Sequence, residues 1–167
     1  MNIKNHTILI LMMLCFLPLS IASPNQQRGV HLNNQGFALA QQGQYQQAIS
    51  LYQQALPDLT ATDAKTQINR AATLNNLGVA YMHQRNLQDA YYALSEALSL
   101  REQYLGMLDA LTLLSRHNLA VILLSGNQNK LACEHMQQAY SGRLKVLGQQ
   151  HENTQLSLKF LKQIPNC

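Results

Sequence analysis

Leu74-Asn75-Asn76-Leu77-Gly78-Val79-Ala80-Tyr81 decides the fold, because its glycine belongs to a series that runs the length of the chain. Gly36 and Ala120 stand 42 residues before and after Gly78. Ala48, Ala90 and Ala132 keep the same step, as do Ala55, Ala97 and Ala139, and so do the pairs Leu105-Gly106 and Leu147-Gly148. A fixed period in this range marks a stack of units, none of which can bury its apolar face alone. It points to a binding scaffold and away from an enzyme.

Working outward, every segment reads as helix. Leu32, Phe37 and Leu39 fall on a helix from Val30 to Gln42, and Gly43 follows as its stop. Tyr45, Ala48, Ile49, Tyr52, Ala55 and Leu56 form a second stripe that Pro57 ends, and Thr60 with Asp63 signals the next start. Leu74, Leu77, Val79, Ala80 and Tyr81 mark a third helix; Leu87, Ala90, Leu94, Ala97 and Leu98 mark its partner, closing at Gly106. A third pair spans Asp109 to Ser125 and Gln128 to Leu147, with Gly126 and Gly148 as stops. A last helix runs from Glu152 to Gln163, before Pro165. No stretch alternates with period two, so strands are not expected. The expectation is an all-α stack of three helical hairpins, at about 29–62, 71–106 and 113–148, plus a capping helix at 152–163. Gly36, Gly78 and Ala120 should let paired helices approach closely. Gly78→Ala should then be mild or even stabilising, since alanine favours helix and the third unit already holds it.

At these residues the chain resembles the tetratricopeptide repeats. Leu74 to Tyr81, with Ala90, Leu94 and Ala97, matches that family's pattern; Leu32 through Ala55 matches with Gln35 in place of a leucine. The third unit departs at Arg116 and Asn129. The family's period is 34, so the longer step, the Leu-Gly boundaries and the threonines Thr112 and Thr154 are similar to the kinesin-light-chain-like branch. The resemblance implies a right-handed solenoid whose first helices line a concave groove for a peptide or partner helix.

Carried onto this sequence, the resemblance places five rows in the groove. They are Asn33, Asn75 and His117; Asn34, Asn76 and Asn118; Phe37, Val79 and Val121; Ala40, Met82 and Leu124; and Gln41, His83 and Ser125. Asparagine offers donors and an acceptor to the backbone of an extended ligand. The alternative is that Val79, Met82, Val121 and Leu124 pack between units. The family's carboxylate clamp is not expected, because Asn33, Phe37, Leu114 and Asn118 stand at its positions and only Asn76 agrees.

The start of the chain reads as a secretory signal peptide over residues 1–22. Lys4 precedes an apolar run from Ile8 to Leu19, and Ser20-Ile21-Ala22 supplies the small residues of a cut. An uncleaved membrane anchor is the alternative, disfavoured by the short run and by Pro18. Leu14 before Cys15 argues against lipid attachment. The expected mature domain is 23–167, exported to the periplasm or secreted, with membrane contact only through an uncleaved leader. Its net charge falls from +4 to +3, and 21 glutamines build much of the surface. Lysines and arginines are scattered, so nucleic acid is not an expected partner. Cys133 and Cys167 remain, each 17 residues from position 150. If the last two helices run antiparallel about that turn, the cysteines meet in a disulfide; the alternative is a buried Cys133 and a free, disordered Cys167.

No catalytic chemistry is expected. His151-Glu152 begins like a zinc-protease motif, but Gln155 stands where the second histidine belongs. Cys133 and His135 diverge on one helix, and His83 with His117 reads better as hydrogen-bonding histidines than as metal ligands. No cofactor is implied. Two functions remain: a scaffold or adaptor that binds a protein, and a secreted accessory giving specificity to a catalytic partner.

Overall fold

The structure, a computed structural model, describes residues 22–167; the expected leader, apart from Ala22, lies outside the described residues. Seven α-helices follow one another: α1 (Pro24–Gln41), α2 (Tyr45–Ala55), α3 (Ala64–His83), α4 (Leu87–Leu105), α5 (Ala110–Ser125), α6 (Asn129–Leu147) and α7 (Glu152–Leu161). The pairs α1–α2, α3–α4 and α5–α6 are hairpins, and α7 caps the third, making an all-α solenoid.

α1 begins earlier than its apolar spacing suggests. Ser23 caps it, Gln26 reaches back to Ser23 N at 2.8 Å, and Pro24 stands at the first helical position, where a missing N–H costs nothing. At α3 the cap is Asp63 instead of Thr60: its carboxylate accepts from Thr66 N at 3.0 Å. Asp109 caps α5 and His151 caps α7, one repeat apart.

The hairpin turns share one geometry. Gly43, Arg85 and Asn127 occupy the left-handed region at φ 76°, 59° and 59°. Beside them Gln44 N bonds to Leu39 O, Asn86 N to Tyr81 O and Gln128 N to Leu123 O, at 2.8–3.0 Å. Gly126, read from sequence as the stop of α5, has φ −89° and leaves the left-handed position to Asn127. Gly106 and Gly148 end α4 and α6 at φ 87° and 84° with ψ near 165°, a region open essentially to glycine alone.

Inside each hairpin a small residue on the first helix faces a large one on the second. Gly36 lies under Tyr52 and Gly78 under Leu94. A Cβ on Gly78 would sit 2.6 Å from Leu94 Cγ, so alanine there forces a shift and the expectation of a mild Gly78→Ala is corrected. The third unit holds Ala120 because Met136 replaces the branched or ring side chain, and an unbranched chain can bend around a methyl.

Between units the seams differ. Arg101 on α4 is buried and donates through Nη1 to Leu111 O at 2.8 Å and Ser115 Oγ at 2.7 Å. One repeat on, Arg143 of α6 donates to Asn153 O at 3.1 Å and Ser157 Oγ at 2.7 Å. At the first seam the equivalent residue is Leu59, fully buried. Neither arginine meets a carboxylate. Burial lowers the pKa of Arg101 to about 10, against a smaller opposing pull from Asp109, and lowers that of Arg143.

Candidate functional site

The first helices of the units stand side by side, and an asparagine ladder joins them. Asn76 Nδ2 donates to Asn33 Oδ1 at 3.1 Å, and Asn118 Nδ2 donates to Asn75 Oδ1 at 3.2 Å. At the next rung Phe160 and His117 meet in a T-shaped contact, ring centres 5.1 Å apart and planes at 88°. The row Asn33, Asn75 and His117 therefore points into the seams. Asn75 and His117 are buried, which corrects their assignment to the groove. The physical reason is local: neighbouring helical residues diverge by roughly 100°, so when Asn76 and Asn118 border the groove, Asn75 and His117 cannot.

Both buried residues belong to the seam networks. Ser115 Oγ, which holds Arg101, donates to Asn75 Oδ1 at 3.2 Å. Ser157 Oγ, which holds Arg143, lies 3.2 Å from His117 Nδ1, and Arg143 Nη1 lies 3.3 Å from the same atom. Arginine can only donate, which assigns Nδ1 as an acceptor and His117 as neutral. Burial, and then the cation of Arg143, depresses its pKa to about 4. The fold brings Ser157 and His117 together from positions 40 residues apart in sequence. The pair is no nucleophile and base: Ser157 is fully buried, and the preceding unit makes the same contact with Asn75, which has no base to offer.

The other expected groove residues lie at the surface in different degrees. Asn34, Phe37 and His83 are exposed, whereas Asn76, Val79, Met82, Asn118 and Val121 are half-buried. Val79, Met82, Val121 and Leu124 also pack against the core, so the between-unit role left open by the sequence is realised with part of each side chain still outside. His83 stacks on Tyr45 at 4.2 Å. Asn76 and Asn118 each commit one amide hydrogen to the ladder, which leaves an oxygen and a second hydrogen for a ligand.

One row was missed. Val30, Ala72, Leu114 and Leu156 keep the repeat spacing and flank the asparagines opposite Phe37, Val79 and Val121. The same period, applied one helical turn upstream of Asn34, would have found them. Where α1 and α3 meet, a pocket of about 470 Å³ is lined by Val30, His31, Asn34, Lys65 and Asn69 among others. No aspartate or glutamate lies within α1, α3 or α5. Their arginines are paired: Arg28 with Asp58 at 2.7 Å, Arg70 with Glu96 at 2.8 Å, and Arg116 with Glu102.

At the far end the structure joins Cys133 of α6 to Cys167, with Cα atoms 5.5 Å apart. Ile164, just before, is buried in the cluster that holds Leu123 and Met136. Among the described residues no helix is long and apolar enough to cross a membrane.

Comparison with known proteins follows this geometry. A family model described as tetratricopeptide repeat matches residues 27–81 and 69–145. Two crystal structures of nearly identical TPR-like repeats from a candidate kinesin light chain of Podosopora anserina, one a point variant, align at 23% identity with TM-scores of 0.74 and 0.73. They cover 85% and 86% of this chain and 67% of theirs. BtubC of P. vanneervenii aligns at 15% identity and a TM-score of 0.70, over 84% of this chain and 55% of its own. At these identities the likeness is one of fold. No curated protein matches the sequence.

Proposed function

This chain belongs to the tetratricopeptide repeat family, and from that premise we propose that it is an exported, non-catalytic scaffold whose concave face receives a peptide or partner helix. Protein–protein interaction is the coarse function that the repeats carry; the face, the ligand chemistry and the export are our reading. One observation supports it most: Asn34, Asn76 and Asn118 retain hydrogen-bonding capacity between two apolar rows. A bound segment would pair its backbone with the amides and set side chains against Val30, Leu114, Phe37 and Val121. With the first helices free of carboxylates, their arginines paired and Lys65 their one lysine, such a segment needs little charge. Export is supported by Lys4, the apolar run from Ile8 and the small residues before Ser23.

Pull-down with the protein from Ser23 onward, followed by mass spectrometry, would identify a partner. Asn34→Ala with Phe37→Ala should then weaken that partner about tenfold while melting is unchanged, since neither residue bridges two units. Affinity should be nearly independent of salt. Undiminished binding in the double variant would contradict the concave-face reading.

A further inference from the structure

The corner between α4 and α5 is apolar where the corner between α6 and α7 is polar at three of four places. Met107, Leu108, Leu111 and Leu114 are 63%, 43%, 43% and 37% exposed. One repeat later the same places hold Gln149, Gln150, Asn153 and Leu156; one repeat earlier they hold Lys65, Thr66, Asn69 and Ala72. Packing of the solenoid therefore does not require large apolar residues at the first three places, because the corner between α6 and α7 folds with Gln149, Gln150 and Asn153 there; at the earlier seam the same register falls inside α3, where Thr66 is fully buried. Leu111 and Leu114 are neighbours on the surface of α5, and Leu114 is also a member of the apolar row on the concave face. The formal charges nearby are already engaged. Arg101 is buried, Glu102 pairs with Arg116, and Asp109 accepts from Leu111 N at 2.8 Å.

We propose that this corner is a docking site for an amphipathic helix of a partner protein, its contacting face apolar and uncharged. The proposal rests on the reading of the concave face as the partner surface and adds where the partner's anchors sit. The size of the patch selects this occupant. Four such side chains expose roughly 350 Å² per copy, so two copies face to face would bury roughly 700 Å², well short of the roughly 1,200–2,000 Å² of a stable pair. A single helix presenting anchors at i, i+3 or i+4 and i+7 needs only about 10 Å of rise, a reach that suits one corner. Glu102 and Arg116 neutralise each other and the Asp109 carboxylate is engaged as the α5 cap, which suits an uncharged helix face and disfavours one that carries glutamate there.

The test uses the protein from Ser23 onward and a labelled, hydrocarbon-stapled helix with leucines on one face and glutamine and alanine elsewhere. A probe of the same composition with scattered leucines is the control. The variant Met107→Gln/Leu108→Gln/Leu111→Asn installs the residues of the following corner, and its melting curve reports that it folds. By fluorescence anisotropy the amphipathic probe should bind the unaltered protein and bind the triple variant at least about tenfold more weakly. The scattered probe should bind neither. Both proteins should sediment as monomers and fail to float with phosphatidylcholine or phosphatidylglycerol vesicles. Equal affinity for the variant, no binding of the amphipathic probe, self-association that the variant abolishes, or flotation that it abolishes would each overturn the proposal. Loss of natural-partner binding in the Asn34 and Phe37 double variant, beside an unaffected triple variant, would remove the corner and leave the concave face standing. The reverse pattern would remove the concave face alone.

Discussion

At the seam between α2 and α3 the closing residue is Leu59; at the two seams that follow it is Arg101 and Arg143. The carbonyl each must cover is equivalent, on Asn69, Leu111 and Asn153. At the first seam Thr73 Oγ1 donates to Asn69 O at 3.0 Å from within its own helix, and Leu59 only fills space. At the later seams serine replaces threonine, and the guanidinium bridges the serine and the carbonyl. Helix length follows the chemistry: α4 and α6 run 19 residues and carry their arginine to the next unit, whereas α2 stops after 11 at the turn containing Pro57. The repeat thus keeps a position and changes what occupies it. A cation buried without a carboxylate, with Arg101 Nε left unpartnered, is a costly way to close a seam. What it adds is direction, since a guanidinium fits only where its acceptors are aligned.

The contrast can be broken first at Arg101. Arg101→Ala leaves a cavity and strands the Ser115 hydroxyl and the Leu111 carbonyl, at a cost of roughly 4 kcal/mol. Arg101→Leu with Ser115→Thr copies the first seam and should recover part of that loss while staying less stable than the parent. Urea unfolding measures both. An alanine variant as stable as the parent would show that the arginine seam holds nothing.

The third seam also relies on the Cys133–Cys167 bond, because α7 has a neighbour on one side only. A bond closing a separation of 34 residues contributes roughly 4 kcal/mol in the chain-entropy picture. Cys133→Ser with Cys167→Ser should lower the urea midpoint accordingly, and reductant should then have no further effect. A midpoint unmoved by the double change would contradict the staple.

A smaller effect separates Asn75 from its equivalent, His117. Because His117 titrates near 4 when folded and near 6.5 when unfolded, the unfolded chain takes up the proton first as pH falls. Its contribution is complete above the higher value and is lost between the two. Denaturation at pH 7.5 and pH 5 should show a stability loss of about 2 kcal/mol that His117→Asn diminishes. Burial shifts His135 the same way, so some slope should persist. An unchanged slope in the variant would sever His117 from it.

How much of this was legible follows from what periodicity encodes. Hairpins, the glycine ends of α4 and α6 and the approach of Cys133 to Cys167 are matters of helix length and register, and the 42-residue step carries both. The start of α1 was hidden because Asn25 to Arg28 offers no apolar periodicity, only the cap at Ser23. Arg101 and Arg143 were equally periodic, as were Ser115 and Ser157, but a charged side chain reads as solvated until a partner is seen. Among the groove residues, Asn34 and Phe37 came out exposed, while Asn75 and His117 turned inward. A row pattern locates a helical face to within one residue, and one residue is enough to exchange groove for seam.

Native-state hydrogen exchange, followed peptide by peptide, compares the two kinds of seam in one molecule. The arginine seams and the disulfide should bind α3 to α7 into one cooperative unit, with α1 and α2 opening separately at lower free energy across the leucine seam. Amides of α1 and α2 should then lose protection at urea concentrations where those of α4 and α6 remain protected. Uniform protection from α1 to α6, or earliest opening at α5 and α6, would contradict the account.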